Sequence, residues 1–133
     1  MAYDETQRRI SLDADASLAV RTGVPGMPGS ADPNSGKQYY FVKVTGEHQA
    51  GLVAVAANPS IGVMQNKPQV LGEAAAICIG GISLVVAGAV LAAGDPVAAG
   101  ADGRGIKWTT GTQVGTVIQG AGVGQLAVVL VQI

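Results

Sequence analysis

This chain of 133 residues has little charge. Ionisable acids and bases other than histidine make up 13% of it, about half the usual share near 25%. The net charge is −1 at pH 7. With no basic field to collect phosphates, the sequence argues against nucleic acid as a partner. Chemistry-bearing side chains are scarce too. One histidine and one cysteine are present, fewer than the three or four protein ligands that zinc sites use, so no metal ligand set can be assembled. His48 sits in Thr45-Gly46-Glu47-His48-Gln49 and reads as an exposed hairpin loop. Cys78 has no partner for an internal disulfide, and its apolar neighbours mark it as a small buried hydrophobe.

Other absences narrow the field further. Aromatic residues amount to 4%, too few for a concave aromatic binding surface. Trp108, beside Ile106 and Lys107, reads as a core or rim residue. The glycines of Gly120-Ala121-Gly122-Val123-Gly124-Gln125 miss the GxGxxG spacing and precede a strand pattern, where a phosphate cradle needs a helix. Asn58-Pro59-Ser60 is no glycosylation acceptor, because proline holds its middle position. The opening MAYDETQRRISLDAD is polar where a secretory signal needs an apolar stretch of roughly 7 to 15 residues, so no export signal is visible. No nucleophile–base pair, paired carboxylates or cofactor motif emerges, and the expectation is a protein without catalytic residues or cofactors.

What is present divides unevenly. Residues 1–50 hold eleven of the seventeen charged residues; residues 51–133 hold six. Gly23-Val24-Pro25-Gly26-Met27-Pro28-Gly29-Ser30 and Asp32-Pro33-Asn34-Ser35-Gly36 deny the backbone a sustained helix or ladder. Residues 1–37 therefore read as an extended N-terminal arm, and residues 38–133 as a β-rich domain. An isolated arm buries too little to offset about 1–2 kcal/mol of backbone ordering per residue. It is expected to order on another surface.

Beyond Gln38 the pattern is one of short strands: YYFVKV (39–44), GLVAVA (51–56), IGVM (61–64), ICI and SLVV on either side of Gly80-Gly81, IKWTT (106–110), TQVGTVIQ (112–119) and QLAVVLVQ (125–132). Turn signals separate them: Asn58-Pro59-Ser60, Asn66-Lys67-Pro68, Gly94-Asp95-Pro96 and Ala101-Asp102-Gly103. Asn66, Pro68, Gly94, Asp95, Asp102 and Gly103 are the expected structural turn residues. Short antiparallel strands at regular spacing predict an all-β fold, a small barrel or sandwich. Residues 74–94 carry no charge and are long enough to cross a hydrocarbon core. Four glycines, clustered β-branched residues and the lack of flanking cations or aromatic belts favour strands instead. Both faces of these strands are apolar or tiny, which suits cover by the protein's own barrel and by neighbouring subunits.

Across residues 51–133 the chain resembles the small capsid decoration, or cement, proteins of tailed bacteriophages. The likeness rests on GVMQNKP (62–68) followed by Gly72-Glu73-Ala74-Ala75, on GGISLVVAGAVLAAGDPVAAGADGRG, and on the Val114-Gly115 strand leading to a Gly-rich turn and a closing apolar strand. The resemblance implies a β-rich structural protein on the outside of an icosahedral shell, bound to the major capsid protein and clustered as a homotrimer at threefold or quasi-threefold positions. It implies no catalysis. Tyr3, Arg8, Arg9 and Arg21 are the candidate capsid contacts, chosen because Tyr and Arg are enriched in interfaces. A β-barrel binding module or head-fibre component recognising a glycan or small ligand is the alternative. A membrane protein rests on residues 74–94 alone.

Overall fold

The computed structural model describes residues 7–18, 37–69 and 71–133. It is all-β, with strands β1 (Arg8–Ala14), β2 (Phe41–Gly46), β3 (Gln49–Leu52), β4 (Gly62–Met64), β5 (Ala74–Val86), β6 (Pro96–Ala99), β7 (Gly105–Lys107), β8 (Gly115–Gln119) and β9 (Leu126–Gln132). They form one sheet in the order β1-β3-β2-β4-β5-β9-β8-β6-β7, and β1 also pairs with β5. The uncharged run contributes a strand of 13 residues where two short ones were expected. No helix among the described residues is long and apolar enough to cross a membrane.

The extra pairing makes two rings. β1 lies antiparallel to β5, from Arg8↔Gly80 to Asp13↔Ala74, and parallel to β3 at Asp13↔Gln49 and Ala14↔Ala50. Strands β1, β3, β2, β4 and β5 thereby close on themselves. The far half of β5 pairs with β9, from Gly80↔Gln132 to Val86↔Leu126. The series β9-β8-β6-β7 then returns to the end of β5 through a parallel bridge between Ala87 and Gly105. Gly88 N–H donates to the Gly105 carbonyl at 2.7 Å beside that bridge. A side chain at Gly105 would begin 2.9 Å from Val85 Cγ1, so the closure needs glycine there.

Each ring has its own core. Ala14, Leu18, Val42, Ala50, Met64, Ala75 and Ile77 fill the first. Val85, Val97, Ala99, Val117, Ala127, Val129 and Val131 fill the second, joined by Phe41, Val63 and Cys78 from the outside of the first. Successive strand residues point to opposite faces. Phe41/Val42, Val63/Met64 and Cys78/Ile77 are thus adjacent pairs split between the two cores. This explains why both faces of these strands are apolar: the second face is covered within the chain itself.

β5 serves both rings by changing phase. Ala75 and Ile77 point into the first core, yet Val85, also odd-numbered, points into the second. A slip of one residue moves a strand's side chains to the other face. The slip falls at Gly80-Gly81, where Gly81 has φ +101° and the β1 register shifts between Arg8 and Arg9. Glycine enters that left-handed region without steric cost.

The segment read as an arm supplies β1 and the turn after it. Ala14 and Leu18 are fully buried. Asp15 fastens that turn, accepting from Ser17 N–H and from the Thr45 hydroxyl, both at 2.8 Å. Ser17 Oγ in turn accepts from Leu52 N–H at 2.9 Å.

Candidate functional site

Of the four candidate contact residues, Arg8 and Arg9 are placed, side by side at the start of β1 and exposed. Tyr3 and Arg21 lie outside the described residues. The Arg8 guanidinium covers the backbone of Gly80, close enough that a side chain there would begin 2.9 Å from it. Arg9 Nε donates to Gln7 Oε1 at 2.8 Å. Among the described residues, ion pairs are formed by Arg104 with Asp102 and by Lys107 with Asp95, and neither involves these two arginines.

Beside Arg9 lies an open groove of about 540 Å³. Its floor is Ile82, Leu84 and Val128, and its walls are Gln7, Arg9, Tyr39 and Gln65. A side-chain chain of hydrogen bonds crosses it: Gln65 Nε2 donates to Ser83 Oγ at 2.8 Å, and Gln7 Nε2 reaches Gln65 Oε1 at 3.4 Å. Gln7 Nε2 also donates to the Ile82 carbonyl at 2.6 Å. Tyr39 is held at φ +69°, a conformation non-glycine residues seldom adopt. Nothing in the sequence singled out Gln7, Gln65 or Ser83, since glutamine and serine carry no strong signal and come from three distant segments.

The floor continues as an aliphatic strip on the outer face of β5 and β9. The cross-strand pairs Ile82↔Leu130, Leu84↔Val128 and Val86↔Leu126 build it. Leu126 is 47% exposed and Ile118 on neighbouring β8 48% exposed. The strip belongs to neither core.

The turn residues fall as follows. Asn66 Nδ2 donates to the Ala74 carbonyl and its Oδ1 accepts from Ala76 N–H, both at 2.9 Å, so its side chain ties the turn to β5. Pro68 is fully buried. Gly94 and Gly103 have φ of +89° and +83°. Asp95 Oδ2 accepts from Ala92 N–H at 3.0 Å. Asp102 accepts from Arg104 N–H at 3.1 Å and from Arg104 Nε at 2.6 Å. Burial would raise the Asp102 carboxyl, but these hydrogen bonds and the guanidinium charge outweigh it and hold the pKa below its ordinary value.

Cys78 is buried between the cores, and desolvation pushes its thiol up, against backbone hydrogen bonding at Gly80 and the charge of Arg9. His48 closes the β2–β3 hairpin. Trp108 Nε1 donates to the Gly111 carbonyl at 3.0 Å. Among the described residues no group of three or more His, Cys, Asp or Glu is placed to hold a metal.

No protein-family model matches the chain, and no curated protein matches it in sequence. In three dimensions it is similar to the head fiber gp8.5 N base in bacteriophage phi29. The TM-score is 0.67 at 17% identity, over 94% of this chain and 95% of that one. At that identity the likeness is one of fold, and it extends through both rings.

Proposed function

We propose that this chain is a capsid decoration protein, binding the outer surface of a bacteriophage head and stabilising the major capsid protein lattice. The observation that carries the reading is the two-ring fold, similar over nearly its whole length to the base of a phage head fibre. The sequence resemblance to phage cement proteins supports it independently. The protein would be made in the host cytoplasm and reside on the virion.

The physical role follows from mass action. A ligand that binds only the assembled shell stabilises it by RT ln(1 + [L]/Kd) at each site, and the effect multiplies over a repeating lattice. Exposed Arg8 and Arg9 supply a cationic contact with the shell. The uncharged aliphatic strip on β5, β8 and β9 supports association of copies, since apolar surface of this kind marks interaction sites, and the resemblance to cement proteins supplies the homotrimer. A membrane and nucleic acid are not among the proposed partners.

Adding the purified protein to undecorated heads and imaging them tests the proposal. Density at regular outer lattice positions is the expected result. Deleting residues 1–37 would also remove β1 and open the first ring, so the arginines are better tested by Arg8→Gln with Arg9→Gln, which leaves the ring intact. Undiminished occupancy by that variant would remove the arginines from the contact. Heads that stay bare with the unaltered protein would remove the decoration reading.

The similarity to a head-fibre base favours a second reading, in which the chain forms the base of a head fibre. Virion images separate the two: a projecting fibre rooted on this protein supports the second, and a flat cap supports the first.

A further inference from the structure

β5 leaves the first ring at Gly80-Gly81, and among the described residues the β1 pairing ends there, at Arg8↔Gly80. From Gly81 to Val86, β9 is the only strand among the described residues that pairs with β5. Backbone groups alternate in direction along an antiparallel strand. Ile82, Leu84 and Val86 therefore turn theirs to the open edge. The Ile82 carbonyl accepts the Gln7 amide at 2.6 Å, the Leu84 carbonyl accepts the Ser83 hydroxyl at 2.8 Å, and Val86 N–H donates to the Tyr39 carbonyl at 3.1 Å. Two of these three partners are side chains, which can swing aside where a ladder strand could not.

The groove lies against this edge. Its volume of about 540 Å³ falls within the range of roughly 300–1,000 Å³ typical of binding clefts. Aliphatic side chains at Ile82, Leu84 and Val128 suit apolar side chains spaced two residues apart on a strand. Arg9 stands on the wall with its Nε on Gln7, and no carboxylate among the described residues forms an ion pair with it.

We propose that this groove receives an extended segment of a partner protein as an added strand along Gly81–Val85, with aliphatic side chains on the floor and a carboxylate side chain against Arg9. Main-chain bonds to the edge supply affinity, and the floor and Arg9 supply selectivity. A saccharide would use the polar walls but has no reason to require an open sheet edge. The inference rests on the edge, and it shares Arg9 and the Ile82–Leu84–Val128 end of the aliphatic strip with the decoration reading.

The probe is a blocked hexapeptide of alternating valine and glutamate, titrated into the ¹⁵N-labelled full chain. Shifts at the Ile82 and Leu84 amides and at the Gln7 and Gln65 side-chain amides are expected. Methylating alternate peptide nitrogens removes main-chain donors, and Arg9→Gln removes the cation. Each is expected to weaken binding about tenfold, the scale of one good hydrogen bond or charge-assisted contact. The Arg9→Gln effect should vanish with a valine–glutamine peptide. Absence of shifts at millimolar peptide, or equal binding by the methylated peptide, overturns strand addition. Stronger shifts at the same residues with oligoglucuronate would reassign the groove to carbohydrate. Because no heads are used, either result leaves the decoration proposal to its own test.

Discussion

The two rings solve the same packing problem with chain drawn from different distances. The second is built from one continuous stretch, from β5 through β9, with short turns joining β6 to β7 and β8 to β9, while its β5–β9 pairing joins residues 40 apart at Val86↔Leu126 and 52 apart at Gly80↔Gln132. The first depends on β1, whose partners in β3 and β5 are far along the sequence. Closing a longer loop costs more entropy before its contacts repay it. The β1–β5 pairing joins residues 61 apart at Asp13↔Ala74 and 72 apart at Arg8↔Gly80, so the first ring is expected to open before the second.

The sharpest way to break this comparison is Phe41→Ala. Phe41 is fully buried, belongs to a first-ring strand and packs in the second core. The substitution is expected to cost about 3–5 kcal/mol and to split one denaturant transition into two. A loss below about 1 kcal/mol would show that the rings are not coupled through this side chain.

Ile77→Ala acts on the first core only. An expected cost of about 2–5 kcal/mol should appear in hydrogen exchange as faster opening of β2, β3 and β4, with β8 and β9 protected. Uniform loss across both rings would contradict independent opening. Cys78, between the cores, adds a check: its thiol should resist alkylation in the native protein and react once the rings separate.

Gly81→Ala tests the phase change in β5. At φ +101° a side chain is expected to cost about 1–3 kcal/mol, measurable by thermal unfolding. No change would mean that the slip does not require glycine.

The smallest effect is expected from Asp102→Asn. The Asp102–Arg104 pair is half exposed, and such surface pairs contribute about 0–1 kcal/mol. The folded pKa is lowered, so the carboxylate's contribution is present above the unfolded pKa and fades as pH falls through the lowered folded value. Wild type and variant should therefore differ near neutrality and converge below about pH 4, the ordinary carboxylate range. A difference that grows on acidification would reverse the sign assigned here.

Much of the second ring was legible because its strands are apolar runs bounded by Gly, Asp and Pro. Pro96-Val97-Ala98-Ala99 escaped notice, being short and wedged between two turn signals. The first ring was harder. Ile10, Leu12 and Ala14 alternate with polar residues in RRISLDA, a strand signal hidden by the Gly/Pro-rich stretch that follows. Pairing partners so distant leave no local trace, and neither does the phase change, although Gly80-Gly81 marks its place. Arg8 and Arg9 could be nominated by residue type. The groove beside them could not, because it is made where three segments converge beyond the end of the β1–β5 pairing.

A thirteen-residue strand common to both rings has a mechanical consequence. Tension drawn across the molecule from one ring to the other is shared with the Phe41 N–H to Gly103 carbonyl bond and carried covalently along that backbone. Its flanking hydrogen bonds are then loaded together, in shear, instead of peeling one after another. Under such a load the yielding element would be β1, which seals the first ring, while the central strut stays seated.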